Sequence, residues 1–338
     1  MTEDLTAKKS QAYDIIKAAA IILVVLAHVL RMYVGDGVFT PANPSRFLRS
    51  LSLYIYSFHM PLFVAVSGCV YGYCVEGGKY ENKGKFVTGK LRRIILPYLI
   101  FGLLWVTPTM KLCSLTDMGF FEYFFRGIVL SLNPRHLWYL LALFWIYILA
   151  IPLRPMIKSG KPWYLLISLL LFGAYLKLPG YNHLQLIPAL RYQLYFFLGV
   201  AINHYFPVLL RAIRRLYIPI YILCPLLLVV SLKFDPSWLT KLGYAIIGII
   251  WFVAIGGGLA DKCGDKIAGI KWYRVLNRDS FGLYLFHPMI IYVIFWQLGG
   301  LNINPWLLSA GAFIVSAGLS IVLTELLRKC RAGIAIGE

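Results

Sequence analysis

The sequence predicts an all-α bundle of membrane-spanning helices, and three observations lead to this fold class. The chain has 338 residues, of which 60% are hydrophobic and only 14% are charged. A soluble domain is typically about 45–50% apolar and about 25% charged. The apolar residues form long segments, and the basic residues cluster in the short connections between them. We therefore expect one integral-membrane domain over residues 1–338, in the cytoplasmic membrane.

Ten apolar segments are predicted to be membrane helices. They cover residues 12–33, 48–73, 88–110, 137–153, 163–178, 186–204, 216–232, 238–260, 280–298 and 305–327. With the N-terminus inside, about two thirds of the 33 Lys and Arg residues fall in the inner connections. This bias follows the positive-inside rule and places both termini in the cytoplasm. It also accounts for the net charge of +19, so nucleic acid is not an expected partner.

The cysteines and the glycine run have structural explanations. The six cysteines are scattered without a C-x-x-C pair, which indicates neither a zinc site nor a disulfide framework. We expect free thiols and no metal. The run Gly256–Gly258 lies inside a membrane segment, where small residues allow helices to approach closely.

The first segment carries three ionisable residues on one helical face. Asp14 and Lys17 are three residues apart, and His28 follows Lys17 by eleven residues, roughly 16 Å along a helix. Such groups cost about 2.5 to 3.5 kcal/mol each at the centre of a bilayer, so they usually face a protein interior or a wet cavity. Taken alone, the segment is equally well a signal anchor with interfacial charges and a packed histidine.

Further polar residues lie at membrane depth in later segments. His59 precedes Pro61, which is expected to kink the second helix, and His287 precedes Pro288. The others are Arg191 in the outer half of its segment, His136 at the outer end of the fourth segment, and Ser280, a predicted helix cap. Each histidine taken singly can be a packing residue, but together they indicate a polar passage. Few carboxylates lie in the membrane, which disfavours a cation-coupled relay.

Basic residues stand at the predicted cytoplasmic mouth of the third segment. Lys90 and Arg93 share a helical face, and Arg92 lies beside them. Ammonium and guanidinium groups suit phosphates, so an anionic ligand is expected here. The alternative is that these residues only set the membrane orientation.

These residues together resemble the acyltransferase-3 family of integral-membrane O-acyltransferases, most closely its fucose/exopolysaccharide O-acetylase branch. Asp14, Lys17 and His28 match the family's D-x-x-(R/K)-x10-H signature, and Lys90 with Arg93 resembles its R-x-x-R motif with Lys in the first place. Further similar blocks are FHMPLF at 58–63, Ser67 with Gly68, LWYL at 137–140, YFFLG at 195–199 and SFGLYLFHP at 280–288. The similarity extends over nearly the whole chain.

The resemblance implies transfer of an acyl group, usually acetyl, from cytoplasmic acyl-CoA to a hydroxyl of a glycan or glycolipid. His28 then acts as a general base or is itself acylated first, and these alternatives stay open. Lys17 binds the donor or, with Asp14, orients the site. Lys90, Arg93 and Arg92 are assigned to acyl-CoA. Substrate or oxyanion candidates are His59, Arg191, His287, His136 and Ser280.

Two other functions were weighed against acyl transfer. A transporter or flippase for a small anionic or glycolipid substrate fits a polar passage, although no internal repeat supports it. A structural scaffold does not need three intramembrane histidines. The implied partners are acyl-CoA, the glycan acceptor and membrane lipids.

Overall fold

The chain folds into a bundle of long helices. The structure is a computed structural model that describes residues 2–35, 38–178, 183–230, 232 and 237–338. Within these residues no strand occurs, and the predicted all-α membrane fold class is confirmed. The main helices are α1 (Thr2–Arg31), α2 (Arg46–Tyr56), α3 (His59–Glu76), α4 (Lys83–Leu112), α5 (Phe120–Tyr123), α6 (Arg135–Lys158), α7 (Trp163–Tyr175), α8 (Leu186–His204), α9 (Phe206–Val230), α10 (Trp238–Gly269), α11 (Lys271–Leu298) and α12 (Pro305–Lys329).

Eight helical stretches in the described ranges are long and apolar enough to cross a membrane. They are α1, α2 together with α3, α4, α6 and α9 to α12. The predicted segment 163–178 falls on α7, whose 13 residues extend about 20 Å, less than the hydrocarbon core of about 30 Å. The predicted segment 186–204 falls on α8, which has 19 residues. The chain is a multi-pass membrane protein, and the number of ten crossings stays a prediction.

The connections predicted to be cytoplasmic gather at one end of the bundle. Asp261 on α10 accepts ion pairs from Lys8 at 3.4 Å and from Arg214 at 2.6 Å. Glu76 at the end of α3 pairs with Lys9 at 3.2 Å. These contacts join four predicted inner connections through opposite charges. The cytoplasmic assignment of this end stays a prediction from the distribution of basic residues.

The predicted outer connections meet at the opposite end. The Tyr33 hydroxyl donates to the Pro305 carbonyl at 3.0 Å, and the Ala42 amide donates to the Gly299 carbonyl at 2.7 Å. The first and last outer connections are therefore in contact. Each predicted side of the membrane thus corresponds to one end of the bundle.

The second predicted segment is broken rather than kinked at Pro61. The helix α2 ends at Tyr56, and α3 begins at His59. Pro61 is the third residue of α3, where a backbone N–H has no partner within the helix, so the missing donor costs nothing. The interruption expected from Pro61 is therefore present as a full break at Ser57 and Phe58, where the proline removes the hydrogen bond to the carbonyl four residues earlier. The break at Ser57 and Phe58 makes His59 the first residue of a new helix.

The Ser280 helix cap predicted from sequence is wrong. Ser280 lies inside α11, which already begins at Lys271, and its hydroxyl donates to the Asn277 carbonyl at 3.0 Å. The charged residues before it are stabilised in the helix by ion pairs. The carboxylate of Asp279 is buried and pairs with Arg278 at 2.8 Å and with Arg328 at 3.0 Å. These pairs allow α11 to continue through a stretch that looks like a polar loop.

Small residues bring the central helices together. The helix α1 lies in the middle of the bundle and packs against α2, α3, α10, α11 and α12. A Cβ atom on Gly256 of α10 would lie 3.0 Å from the Ala12 carbonyl oxygen of α1 and would overlap the Ile16 side chain. The structure therefore confirms the close packing predicted for the glycine run. Because α1 is central, its residues Lys17 and His28 lie at cavities between helices.

Candidate active site

Two histidines from distant parts of the chain are in contact inside the bundle. His28 near the end of α1 lies beside His287 in the middle of α11. The Nδ1 atom of His28 is 3.3 Å from Nε2 of His287, and the rings pack edge to face with centroids 4.9 Å apart. Both residues were predicted from sequence as separate site candidates. The structure brings them together because α11 packs along α1.

The hydrogen bonds indicate which nitrogen of each ring carries the proton. Nδ1 of His287 lies 2.7 Å from the Leu283 carbonyl and donates to it, so Nε2 of His287 carries a lone pair. Nδ1 of His28 lies 2.8 Å from the Val24 carbonyl, and its N–H is shared between that oxygen and His287. The Nε2 atom of His28 is therefore the basic one in the neutral ring. Among the described residues none hydrogen-bonds to it.

A third predicted histidine, His136, completes this cluster. It stands at the beginning of α6, and its ring centroid is 6.3 Å from that of His287. Nε2 of His136 donates to the Leu285 carbonyl at 3.1 Å. Its Nδ1 atom is buried and has no hydrogen-bond partner in the described chain. A buried acceptor without a donor is costly, so this atom is suited to a ligand hydroxyl.

His59 is adjacent to the cluster without belonging to its cavity. Its Nδ1 donates to the Ile55 carbonyl at 3.0 Å, which links the end of α2 to the start of α3. Its ring packs edge-on against Tyr56 with centroids 4.6 Å apart. Tyr56 in turn lies 4.9 Å beneath the Arg31 guanidinium. His59 therefore supports the wall of the site through Tyr56.

The histidine cluster opens into a cavity of about 400 Å³ near the outer end of the bundle. We call it the outer cavity. Its polar lining residues are His28, Arg31, Asn133, Arg135, His136 and Gln185, and Trp138 and Tyr292 are among the aromatic ones. From the sequence, Arg31 and Arg135 are predicted only as outer basic residues. Their positions could have identified them as site residues, because Arg31 follows His28 by three residues on one helical face and Arg135 directly precedes His136.

A second cavity, of about 300 Å³, lies at the opposite end, where the predicted cytoplasmic connections meet. We call it the inner cavity. Lys90 and Arg93 line it together with Lys85, Glu81 and the Phe86 ring. A hydrogen bond and the charge of Lys158 hold the pKa of the Glu81 carboxyl below its usual range. The predicted pair therefore shares one cavity, whereas Arg92 lies outside its lining.

Aromatic rings contact one cation of the inner cavity, Lys90, and a second cation beside it, Arg154. The Lys90 ammonium lies 3.6 Å from the centre of the Tyr147 ring, and the Arg154 guanidinium lies 4.2 Å from that of Phe86. Such contacts stabilise a cation by about 0.5 to 2 kcal/mol and do not neutralise it. Arg154 also donates to the Tyr71 hydroxyl at 3.0 Å and is buried. From the sequence, Arg154 is predicted only as one of the basic residues that set the orientation of the protein in the membrane.

A narrower cavity of about 220 Å³ lies between the other two. We call it the middle cavity. Lys17, Ser67, Tyr139, Tyr147 and Ser280 are among its lining residues. The Ser67 and Tyr139 hydroxyls are hydrogen-bonded at 2.9 Å. Tyr147 lines this cavity and also contacts the Lys90 ammonium, so it links the inner and middle cavities.

An aromatic contact continues from the middle cavity to the histidines. The Tyr139 ring packs against Tyr284 with centroids 5.6 Å apart, and Tyr284 packs against His136 at 5.7 Å. The Tyr284 hydroxyl also donates to the His136 carbonyl. The middle and outer cavities are therefore both lined by α1, α6 and α11, and the inner cavity on α4 adjoins the middle one through the contact of Lys90 with Tyr147.

The remaining predicted site residues, Asp14, Lys17 and Arg191, lie at different places in the bundle. Lys17 pairs with Asp14 at 3.2 Å, as their spacing predicts, and Asp14 is half exposed. Lys17 lines the middle cavity, so it lies on the inner side of His28 and not beside it. The Arg191 guanidinium lies 5.3 Å over the Tyr192 ring and is absent from the lining of the outer cavity. In the described ranges, no group of three or more His, Cys, Asp or Glu side chains is arranged to hold a metal ion.

A comparison with known families gives one match. Residues 10–325 match a family model described as an acyltransferase domain, which covers nearly the whole chain and contains every residue of the three cavities discussed above. No curated protein and no solved structure matches the chain.

Proposed function

The chain belongs to the acyltransferase-3 family of acyltransferases and is a membrane enzyme, and we propose that it transfers an acetyl group from acetyl-CoA to a hydroxyl of a cell-surface glycan or lipid-linked sugar. In this proposal the donor enters from the cytoplasmic side of the cell membrane. One observation carries the proposal: a cationic cavity, a narrow cavity and a histidine-lined cavity follow one another through the bundle. This order matches a donor with a phosphate-bearing end and a long thin arm.

The inner cavity suits the phosphate-bearing end of acyl-CoA. Lys90, Arg93 and Lys85 supply positive charge there, and ammonium and guanidinium groups form charge-assisted hydrogen bonds with phosphate oxygens. The Tyr147 ring next to Lys90 continues into the middle cavity. The middle cavity is mostly apolar along Phe63, Val66 and Leu143 and suits the thin arm that ends in the thioester.

His28 is the proposed catalytic residue. Its Nε2 accepts the proton of the acceptor hydroxyl while the hydroxyl oxygen attacks the thioester carbonyl carbon. The carbon–sulfur bond then breaks, and the departing thiolate of CoA takes the proton from the imidazolium. The lone pair of His287 Nε2 accepts the N–H of His28 and stabilises the imidazolium while it exists. His287 and the Val24 carbonyl thereby fix the orientation of the catalytic ring.

The alternative route forms an acyl-His28 intermediate. Nε2 of His28 attacks the thioester, and the carbon–sulfur bond breaks to release the CoA thiolate. The acceptor hydroxyl then takes the acyl group from the imidazolium, and its proton passes to the thiolate. The two routes differ in a measurable way. Only the second leaves label on the protein when labelled acetyl-CoA is supplied without acceptor.

The direct test is acetyl transfer by the purified full chain in lipid nanodiscs. Radiolabelled acetyl-CoA is incubated with the protein and with glycans extracted from cells that lack it. We expect label in the glycan fraction and release of one CoA thiol for each acetyl group transferred. Binding of acetyl-CoA without any turnover or transfer would contradict the proposed enzyme activity.

Removing the two predicted cations of the inner cavity is expected to weaken donor binding. The double variant Lys90→Ala with Arg93→Ala loses two charge-assisted contacts, each worth about 1.5 to 3 kcal/mol, so we expect the Kd for acetyl-CoA to rise at least about 100-fold. Because the contacts are electrostatic, the difference from the parent protein should shrink as salt concentration rises. Equilibrium binding to the nanodisc-embedded protein measures both effects.

The matched control for this variant is Lys83→Ala. Lys83 is exposed at the start of the same helix and is not among the residues that line the inner cavity. Its replacement should leave the Kd within about twofold, because an exposed charge outside the cavity lining is screened by water and salt. An unchanged Kd in the double variant would remove Lys90 and Arg93 from the donor site.

A further inference from the structure

The outer cavity is positively charged. Arg31 and Arg135 both line it, together with His28 and His136. No acidic side chain is among its lining residues in the described part of the chain. Two guanidinium groups in a cavity with low-dielectric walls attract anions, because water screens their charges less there than in bulk solution. This electrostatic character is not required for transfer to a neutral sugar.

Arg135 has an unusual backbone conformation. It begins the short turn Arg135–Leu137 at the start of α6, and its φ of 52° lies in the left-handed region. A non-glycine residue in this conformation is strained, and such strain persists only where the surrounding structure enforces it. This turn places Arg135 next to His136, and both residues line the outer cavity.

One polar atom of Arg135 has no partner. Its Nε is buried and makes no hydrogen bond to any described residue. A buried N–H of a charged group without an acceptor costs at least as much as a lost charged hydrogen bond, so the site is complete only when an acceptor occupies it. An oxyanion supplies that acceptor and also the opposite charge.

A second unpartnered atom lies on the neighbouring residue. Nδ1 of His136 is buried and lacks a donor, because the N–H of that ring is used on the Leu285 carbonyl. His136 as a whole is only 6% exposed. The two unpartnered atoms, a donor on a charged group and an acceptor, therefore belong to neighbouring residues that both line the outer cavity. A sugar that carries both an anionic group and a hydroxyl satisfies both.

We propose that the outer cavity binds the acceptor through an anionic group on its sugar, a carboxylate or a phosphate, which Arg135 holds while His136 accepts a hydrogen bond from a hydroxyl. This assignment of the ligand as the acceptor depends on the proposed acyl transfer. The volume of the outer cavity is about 400 Å³, at the lower end of the range of about 300 to 1,000 Å³ for ligand pockets. This volume suits a single sugar residue rather than a long polymer segment. The indole of Trp138 provides an aromatic wall.

The test compares three small probes on the nanodisc-embedded full chain in the absence of acyl-CoA. The probes are methyl glucuronide, glucose phosphate and the neutral methyl glucoside, and binding is measured by saturation-transfer NMR with titration. We expect at least one charged probe to bind about tenfold or more tightly than the neutral one, and this preference to weaken at high salt. The stronger charged probe identifies carboxylate or phosphate as the recognised group.

Variants at Arg135 test the residue itself. Arg135→Gln keeps hydrogen-bonding capacity but removes the charge, so it should lose the preference for the charged probe, and Arg135→Lys should restore part of it. The matched control is Arg126→Gln, since Arg126 is exposed, pairs with Glu122 at 3.0 Å and does not line the cavity. It should keep the full preference.

Two outcomes would overturn the inference. One is equal binding, or equal lack of binding, of the charged and neutral probes by the parent protein; this result is decisive even if Arg135→Gln does not fold. The other is an unchanged preference in a folded Arg135→Gln variant. Because the probes are tested without acyl-CoA, a failure here is distinct from a failure of acetyl transfer, which the labelled donor reports.

Discussion

Replacing His28 with alanine is expected to abolish acetyl transfer while the protein still folds. A positioned general base contributes about 10²- to 10⁴-fold to a rate, and a nucleophile is indispensable, so both proposed routes predict at least about a hundredfold loss. The cost to folding is moderate. The lost hydrogen bonds connect His28 to the Val24 carbonyl and to His287, and the adjoining outer cavity has room for water.

Single-turnover transfer of radiolabelled acetyl groups measures this effect, with acetyl-CoA binding and gel filtration as checks on the fold. The matched control is His204→Ala. His204 lies at the other end of the bundle, where its Nδ1 is 3.4 Å from Glu76, and it lines none of the three cavities described above. Its replacement should leave transfer nearly unchanged. If a folded His28→Ala protein transfers acetyl at the parent rate, the catalytic site lies elsewhere.

The second large effect concerns the fold. Replacing either Gly68 or Gly199 with alanine is expected to prevent α3 and α8 from packing. A Cβ on Gly68 would overlap the Phe196 carbonyl oxygen, and a Cβ on Gly199 would overlap that of Ala65. Because each clash is with backbone, no side-chain rotation relieves it, and the helices must separate. Overpacking alone typically costs about 1 to 3 kcal/mol, and a backbone clash costs more.

The yield of monodisperse protein and its thermal unfolding midpoint measure this prediction. Gly311→Ala is the matched control, because Gly311 lies within α12 and a Cβ there would meet no atom within 4 Å. Alanine is favoured over glycine by about 0.5 to 1 kcal/mol in a helix interior, so this variant should be as stable as the parent or slightly more so. Parent-like stability of both Gly68→Ala and Gly199→Ala would show that α3 and α8 are farther apart than described here.

Several site features follow from local sequence because they depend on helical periodicity. Asp14 and Lys17 pair as their spacing predicts, and Lys90 and Arg93 share a cavity because residues three apart share a face. The same rule places Arg92 on another side of its helix, outside the lining of that cavity. Periodicity is a property of one helix, so it can be read without knowing which helix is its neighbour.

Other features are invisible in the sequence because they depend on contacts between helices. The break at Ser57 and Phe58 places His59 at the beginning of a helix and behind Tyr56, and its sequence does not distinguish it from a cavity residue. Ser280 reads as a helix cap until its carboxylate neighbour Asp279 is seen paired with Arg328 of another helix. Long-range ion pairs decided both the length of α11 and the place of Ser280.

The sequence by itself determined the membrane-spanning all-α class, the family and the set of unusual intramembrane histidines, since hydropathy, motif order and residue type are all local. Only the tertiary structure decided that His28 and His287 share a hydrogen bond and that Arg135 lines one cavity with His28 and His136. The physical reason is that the neighbouring helices decide which side of a membrane helix faces lipid and which side faces a cavity. Those neighbours come from parts of the chain that are far apart in sequence.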